Sequence, residues 1–214
     1  MLEIKHLTIT KTTEVMIPDL SFHVEPGEIL TLMGASGTGK STVLNWLIGE
    51  LDPVFSAKGE LWLNGSRRDR LPIEGRRIGI LFQDDLLFPH MSVGQNLAFA
   101  LPERFRGKQA RRNELNRALA EAGLADFYDR DTTTLSGGQR ARISLLRALL
   151  AEPEALLLDE PFSKLDAALR TQFRTFVFEQ ITKLGIPTIL VTHDPSDVPP
   201  AGRVLELNRR IDHA

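Results

Sequence analysis

Gly34-Ala35-Ser36-Gly37-Thr38-Gly39-Lys40-Ser41 fits the pattern G-x-x-x-x-G-K-[ST] at every fixed position. Ile29 to Met33 precedes it and reads as a buried strand; Ser41 to Ile48 follows and reads as a helix closed by Gly49. Strand, glycine loop and helix are the context that a phosphate-binding loop needs. The glycines let successive backbone N–H groups turn inward toward phosphate oxygens, and the helix N-terminus adds partial positive charge. Lys40 is then placed to neutralise the β- and γ-phosphates, and the Ser41 hydroxyl to ligate Mg²⁺. The bland alternative is a glycine-rich turn that happens to carry Lys-Ser.

The 214 residues suit one α/β domain or a core with an inserted subdomain. No cysteine is present, which excludes disulfides, thiolate metal sites and a cysteine nucleophile and fits a cytosolic setting. With 26 basic against 28 acidic residues, there is no overall basic field for nucleic acid. Glu3 and Lys5 interrupt any apolar leader, and no apolar run approaches the ~20 residues of a membrane-spanning helix.

Leu2, Ile4 and Leu7 suggest a strand; Leu20 to Val24 suggests a second, ending at a Pro26-Gly27 turn. Gly59 to Leu63 reads as a strand running into an Asn64-Gly65 turn, and Ile78 to Phe82 as another. The first part of the chain is therefore expected to be antiparallel β structure around the phosphate loop. Met91 to Phe99 is expected to be helical, and Leu115, Ala118, Leu119 and Ala122 keep helical spacing up to a cap at Gly123. Arg104 to Arg112 reads as a solvated loop and helix start, with a lipid-headgroup contact as the alternative. Ser136 caps a predicted helix from Gly137 to about Ala151. Ala155 to Leu158, Thr188 to Val191 and Arg203 to Leu207 read as strands, and Phe173, Phe176, Val177 and Ile181 as one apolar helix face. Strands alternating with helices predict a parallel sheet flanked by helices in the second half.

Asp159 and Glu160 follow an apolar strand, where ligand sites of parallel sheets lie. Asp159 is placed to hold Mg²⁺, and Glu160 to orient or deprotonate a water attacking the γ-phosphate. An ordinary acidic loop is the competing reading. Leu135-Ser136-Gly137-Gly138-Gln139 opens a helix with a hydroxyl and free N–H groups, a second anion site on the same chain. Two anion sites suggest a composite site shared between two subunits.

At this point the chain resembles the ATP-binding subunit of an ABC transporter over nearly its whole length. The order matches: phosphate loop, Gln83, the Leu135–Gln139 signature, Asp159-Glu160, Ser163-Lys164-Leu165-Asp166, and His193 after a strand. The resemblance implies an α/β P-loop NTPase core with an antiparallel β subdomain and an inserted helical subdomain at about 86–150, all within one domain spanning 1–214. It implies ATP and Mg²⁺ as cofactors. Nucleotide contacts fall on Gly34, Ala35, Ser36, Gly37, Thr38, Gly39, Lys40, Ser41 and Thr42, and from a second copy on Ser136, Gly137, Gly138 and Gln139. Asp166 lies at the dimer contact, and Ser41, Gln83 and Asp159 at the metal. Glu160, His193 and Gln83 serve hydrolysis, with Gln83 also linking the site to the helical subdomain. Expected partners are a second copy in a head-to-tail dimer, transmembrane permease subunits and a solute-binding protein, on the cytoplasmic face of the plasma membrane. Leu87-Phe88-Pro89-His90-Met91-Ser92-Val93 resembles importer subunits for thiamine, iron, molybdate or sulfate, so uptake of a small solute is expected. The alternatives are an ATPase of an exporter or of a lipid- or lipoprotein-release complex, a soluble ABC ATPase acting on DNA or ribosomes, and a binding-only regulator, which would be expected to lack Glu160.

Three departures stand out. Ile9 to Thr13 offers no aromatic residue to stack on adenine. Lys164 replaces the family's common small residue. The chain also ends soon after its last strand, as in members without an added regulatory domain.

Overall fold

A computed structural model describes residues 1–207. In chain order the elements are β1 (Leu2–Lys11), β2 (Glu14–Val24), β3 (Ile29–Met33), α1 (Lys40–Ile48), β4 (Phe55–Leu63), β5 (Ser66–Arg67), α2 (Ile73–Arg76), β6 (Ile78–Leu81), α3 (Val93–Ala98), α4 (Lys108–Glu121), α5 (Gly137–Leu150), β7 (Ala155–Asp159), α6 (Ala167–Leu184), β8 (Thr188–Val191) and β9 (Arg203–Glu206). They form an α/β structure in two compact units. Among the described residues the first holds 1–80, 154–160 and 181–207; the second holds 81–153 and 161–180. The helical insertion expected at about 86–150 falls inside the second.

The first unit carries both sheets. The antiparallel sheet has the order β2-β1-β4-β5. Leu2, Ile4, Leu7 and Ile9 are all buried, although strict alternation would turn Leu7 outward. A bulge resolves this. His6 and Asp19 both take positive φ (51° and 43°), and the β1/β2 register shifts between Ile4 and Leu7. On the other side of β1, Gly59 of β4 (φ +152°) lies so close that a Cβ there would meet Leu7 Cα at 2.7 Å. Only glycine lets β4 follow the bulge.

The five-stranded sheet has the order β6-β7-β8-β3-β9, with β3 parallel to β8 and β9, and β7 parallel to β8. β3 and β7 are buried on both faces up to their last residue and β8 throughout, which suits their largely apolar runs. One expectation is corrected: the strand read at Ile78 to Phe82, grouped with the antiparallel structure around the phosphate loop, is β6 of this second sheet. The register sets Asp159 level with Val191, and Leu32 level with the same residue from the other side. The chain segments leaving β3, β7 and β8 therefore emerge on one edge. α1 leaves the loop after β3 and buries Val43, Leu44 and Leu47 completely, about 1.5–3 kcal/mol for each side chain. Its last carbonyls, of Trp46 and Leu47, accept from the buried Arg76 guanidinium.

In the second unit, matching capping boxes start α3 at Ser92 and α5 at Ser136. The Ser92 cap delays α3 to Val93, so the helix expected from Met91 to Phe99 is shorter, and Met91 lies in the turn before it. Ala122 ends α4 and Gly123 follows with φ +71°. Buried Asn96 accepts from the Phe88 N–H at 2.8 Å and donates to the carbonyls of Phe88, Met91 and Ser92. That one side chain fixes the irregular segment leading into α3.

Candidate functional site

The loop after β3 curls as its glycines allow. Gly39 has φ +95°, and a Cβ there would strike Ile17 Cδ1 of β2 at 2.9 Å. β2 therefore presses against the loop from behind. Thr38 Oγ1 donates to Ala35 O at 3.0 Å. Lys40 folds back across the loop and donates to the carbonyls of Gly34 (2.7 Å) and Ala35 (2.9 Å), leaving it only 7% exposed. A buried ammonium held by two carbonyl oxygens is a cation stored beside the α1 N-terminus, available to an anion that offers more charge.

A cavity of about 510 Å³ opens on this loop, lined by Ser36, Gly37, Gly39, Lys40, Ser41 and Thr42 together with Met16, Glu160 and His193. Asp159 sits at the end of β7, and its carboxylate accepts a hydrogen bond from the Ser41 hydroxyl. Burial pushes the Asp159 carboxyl up and the adjacent Glu160 carboxylate pushes it further; the Ser41 hydrogen bond and Lys40 pull the other way without cancelling the rise. Glu160 takes φ +45°, a left-handed conformation that a glutamate holds at a cost of about 1–3 kcal/mol, and its N–H donates to Val191 O at 3.0 Å. His193 Nδ1 lies 3.2 Å from Glu160 Oε1.

A hard cation fits Ser41 and Asp159: both offer oxygen, and a positive charge would relieve the strain that burial and Glu160 place on the Asp159 carboxylate. Among the described residues no three His, Asp or Glu side chains gather into a metal cage. A cation here would draw its remaining ligands from phosphate and water, as Mg²⁺ does. The first unit thus brings together Gly34 to Thr42, Asp159, Glu160 and His193.

The remaining expected residues lie in the second unit. Gln83 Nε2 donates to Ser163 Oγ at 3.2 Å. Ser136 Oγ accepts from Gln139 N–H, while the Gln139 side chain accepts from Ser136 N–H at 3.0 Å. The Gln139 amide is thus engaged within its own helix start rather than turned outward, because the capping box claims it. Asp166 Oδ1 accepts from the N–H groups of Ala168 (3.1 Å) and Leu169 (3.0 Å), a capping role. Lys164, unexplained by the sequence, pairs with Asp84 next to Gln83, and Asp85 accepts from Arg140 Nε at 2.9 Å. Leu86, Phe88 and Phe99 are exposed apolar side chains, and the two rings pack 5.5 Å apart.

Met16 escaped the sequence reading. It stands on β2, and no spacing ties it to the glycine loop; the only hint was the lack of an aromatic before it.

Comparison with known proteins places this arrangement. Residues 17–163 match the family model described as ABC transporter. An uncharacterized ABC transporter ATP-binding protein of Escherichia coli (strain K12), YnjD, is 54% identical over 207 residues, covering 97% of this chain and 95% of that protein. The Fe(3+) ions import ATP-binding protein FbpC 1 of Haemophilus influenzae is 39% identical over 196 residues, covering 92% of this chain and 59% of its own length. The fold matches a dimeric, post-hydrolysis structure of the ATP-binding cassette MJ0796 bound to ADP and Pi, with a TM-score of 0.80, 27% identity, and coverage of 97% and 94% of the two chains.

Proposed function

The chain belongs to the ABC transporter family of ATP-binding proteins and is an ATPase that energises transport, and from that premise we propose that it drives uptake of a small solute through separate permease subunits. One observation carries the catalytic reading: Lys40, Ser41, Glu160 and His193 line one cavity, with Asp159 hydrogen-bonded to Ser41 and Glu160 in contact with His193. Lys40 exchanges its carbonyl partners for the β- and γ-phosphates. Ser41 and Asp159 would hold Mg²⁺, which would supply neutralisation of phosphate charge. Glu160 positions a water and takes its proton as the water attacks the γ-phosphorus. The bond to the bridging oxygen then breaks, releasing ADP and phosphate. His193 steadies the γ-phosphate and the glutamate together.

The protein works as a head-to-tail pair, in keeping with the dimeric cassette it matches. Ser136, Gly137 and Gly138 of one copy meet the nucleotide held by the other, Asp166 lies at that contact, and Gln139 turns outward as the pair closes. Gln83 carries the state of the nucleotide to the segment around Phe88. No helix among the described residues is long and apolar enough to cross a membrane. In the proposed assembly the protein attaches to the cytoplasmic face of the plasma membrane through its permease. Uptake is supported by the importer-like Leu87–Val93 stretch and by the iron-import relative.

The test is co-purification from membranes, identification of the partner chains, and reconstitution with a solute gradient of known direction. ATP-dependent accumulation with a solute-binding partner supports uptake. Extrusion, or release of a lipoprotein, replaces it with the export reading.

A further inference from the structure

We infer that Asp197 is a positioning residue for His193, acting through the hydroxyl of Thr192. The inference rests on the reading of His193 as a residue that faces the γ-phosphate. The His193 side chain is 64% exposed, so packing does not hold its ring in place. Apart from the Glu160 contact at 3.2 Å, its backbone must do so. After β8 the chain turns through a short 3₁₀ segment, Pro195–Asp197, capped by Asp194, whose carboxylate accepts from Ser196 N–H at 2.9 Å. This turn folds the chain back on itself. Asp197, 2% exposed, accepts from Thr192 Oγ1 at 2.8 Å. The same hydroxyl accepts from Asp194 N–H at 3.1 Å. Both neighbours of His193 in sequence are therefore tied to one oxygen, and the buried carboxylate fixes where that oxygen points its proton.

The other end of the device is equally anchored. Thr192 is 2% exposed, and its N–H faces Leu32 O in β3, the strand that leads into the glycine loop. The path Asp197–Thr192–His193–Glu160 thus runs from a buried carboxylate to the rim of the cavity. A carboxylate removed from water is costly unless fully hydrogen-bonded. Here it sets an exposed imidazole at the distance that the reaction needs, where a shift of about 1 Å can cost about a hundredfold in rate.

The experiment uses the full chain, measuring kcat for ATP hydrolysis and ATP affinity separately. Asp197→Ala and Thr192→Val should each lower kcat about 10–100-fold while ATP affinity stays within about twofold. Asp197→Asn and Thr192→Ser keep the acceptor and the hydroxyl and should restore most of the rate. In a His193→Ala background, Asp197→Ala should cause no further loss, because it acts through the missing ring. Should Asp197→Ala fail to fold, the Thr192 pair carries the same test. Full kcat in folded Asp197→Ala or Thr192→Val, or a loss that multiplies on top of His193→Ala, overturns the inference alone. Wild-type turnover in His193→Ala overturns the reading of His193 and the inference with it.

Discussion

His193 Nδ1 lies 3.2 Å from Glu160 Oε1, a bond between residues from the ends of two neighbouring parallel strands. Glu160 makes this contact from a left-handed backbone (φ +45°) and beside the buried carboxylate of Asp159. The glutamate is therefore held against its own preferences. Glu160→Gly should relieve the backbone strain, about 1–2 kcal/mol, set against about 0.5–1 kcal/mol lost to the freer unfolded chain. The variant should be as stable as wild type or slightly more so in thermal unfolding, and inactive in hydrolysis. A clear drop in its melting temperature would show that Glu160 is not strained.

Base selectivity should be weak. Met16 is the apolar side chain lining the cavity, and no aromatic lies in Ile9 to Thr13. ATP and GTP should bind within about tenfold of each other in equilibrium titrations, since stacking of ~1–3 kcal/mol per base is missing. Met16→Trp should tighten both. A hundredfold preference of the wild type for ATP would show that another residue reads the base.

Asp69 gives the first unit an acid-sensitive joint. Burial pushes its carboxyl up, but the Arg67 guanidinium and the Leu61 N–H (3.1 Å) outweigh burial and hold it below the ordinary value. A carboxyl lowered in the folded state adds stability above its unfolded pKa and loses it as pH falls toward the folded one. Asp69→Asn should thus lower the melting temperature at pH 7 and lower it by less near pH 3. An equal loss at both pH values would mean that the charge contributes nothing.

Phe88 is 43% exposed, on a segment pinned by Asn96. Phe88→Glu should leave folding and basal hydrolysis near wild type while abolishing transport and co-purification with the permease. Retained assembly and transport would remove this segment from the coupling path. Loss of folding would assign Phe88 to the core.

Much of this site was legible because its chemistry is local. The loop glycines, Lys40 and Ser41 lie close together in sequence, and Asp159-Glu160 and His193 each come at the end of a largely apolar strand. The sheet to which β3 belongs was not legible, because its partners β8 and β9 come far later in the chain and an apolar pentapeptide does not say which strand it will meet. Lys164 and Asp84 stand 80 residues apart, and nothing about either predicts the other. Thr192 and Asp197 are only five apart, yet their pairing depends on a turn that reverses the chain. Asp166 and Gln139 show the converse: in the single chain their side chains cap helices, so the roles that the family resemblance gives them depend on a second copy.

The proposed function requires that one ATP join two copies and that Glu160 serve hydrolysis rather than binding. The direct measurement is light scattering of Glu160→Gln with Mg-ATP, alongside its turnover. The variant should bind ATP, hydrolyse it at least about a hundredfold more slowly than wild type, and shift from monomer to dimer on ATP addition; Lys40→Ala should neither hydrolyse ATP nor dimerise. A Glu160→Gln protein that stays monomeric with ATP bound, or that turns over at the wild-type rate, would contradict the account.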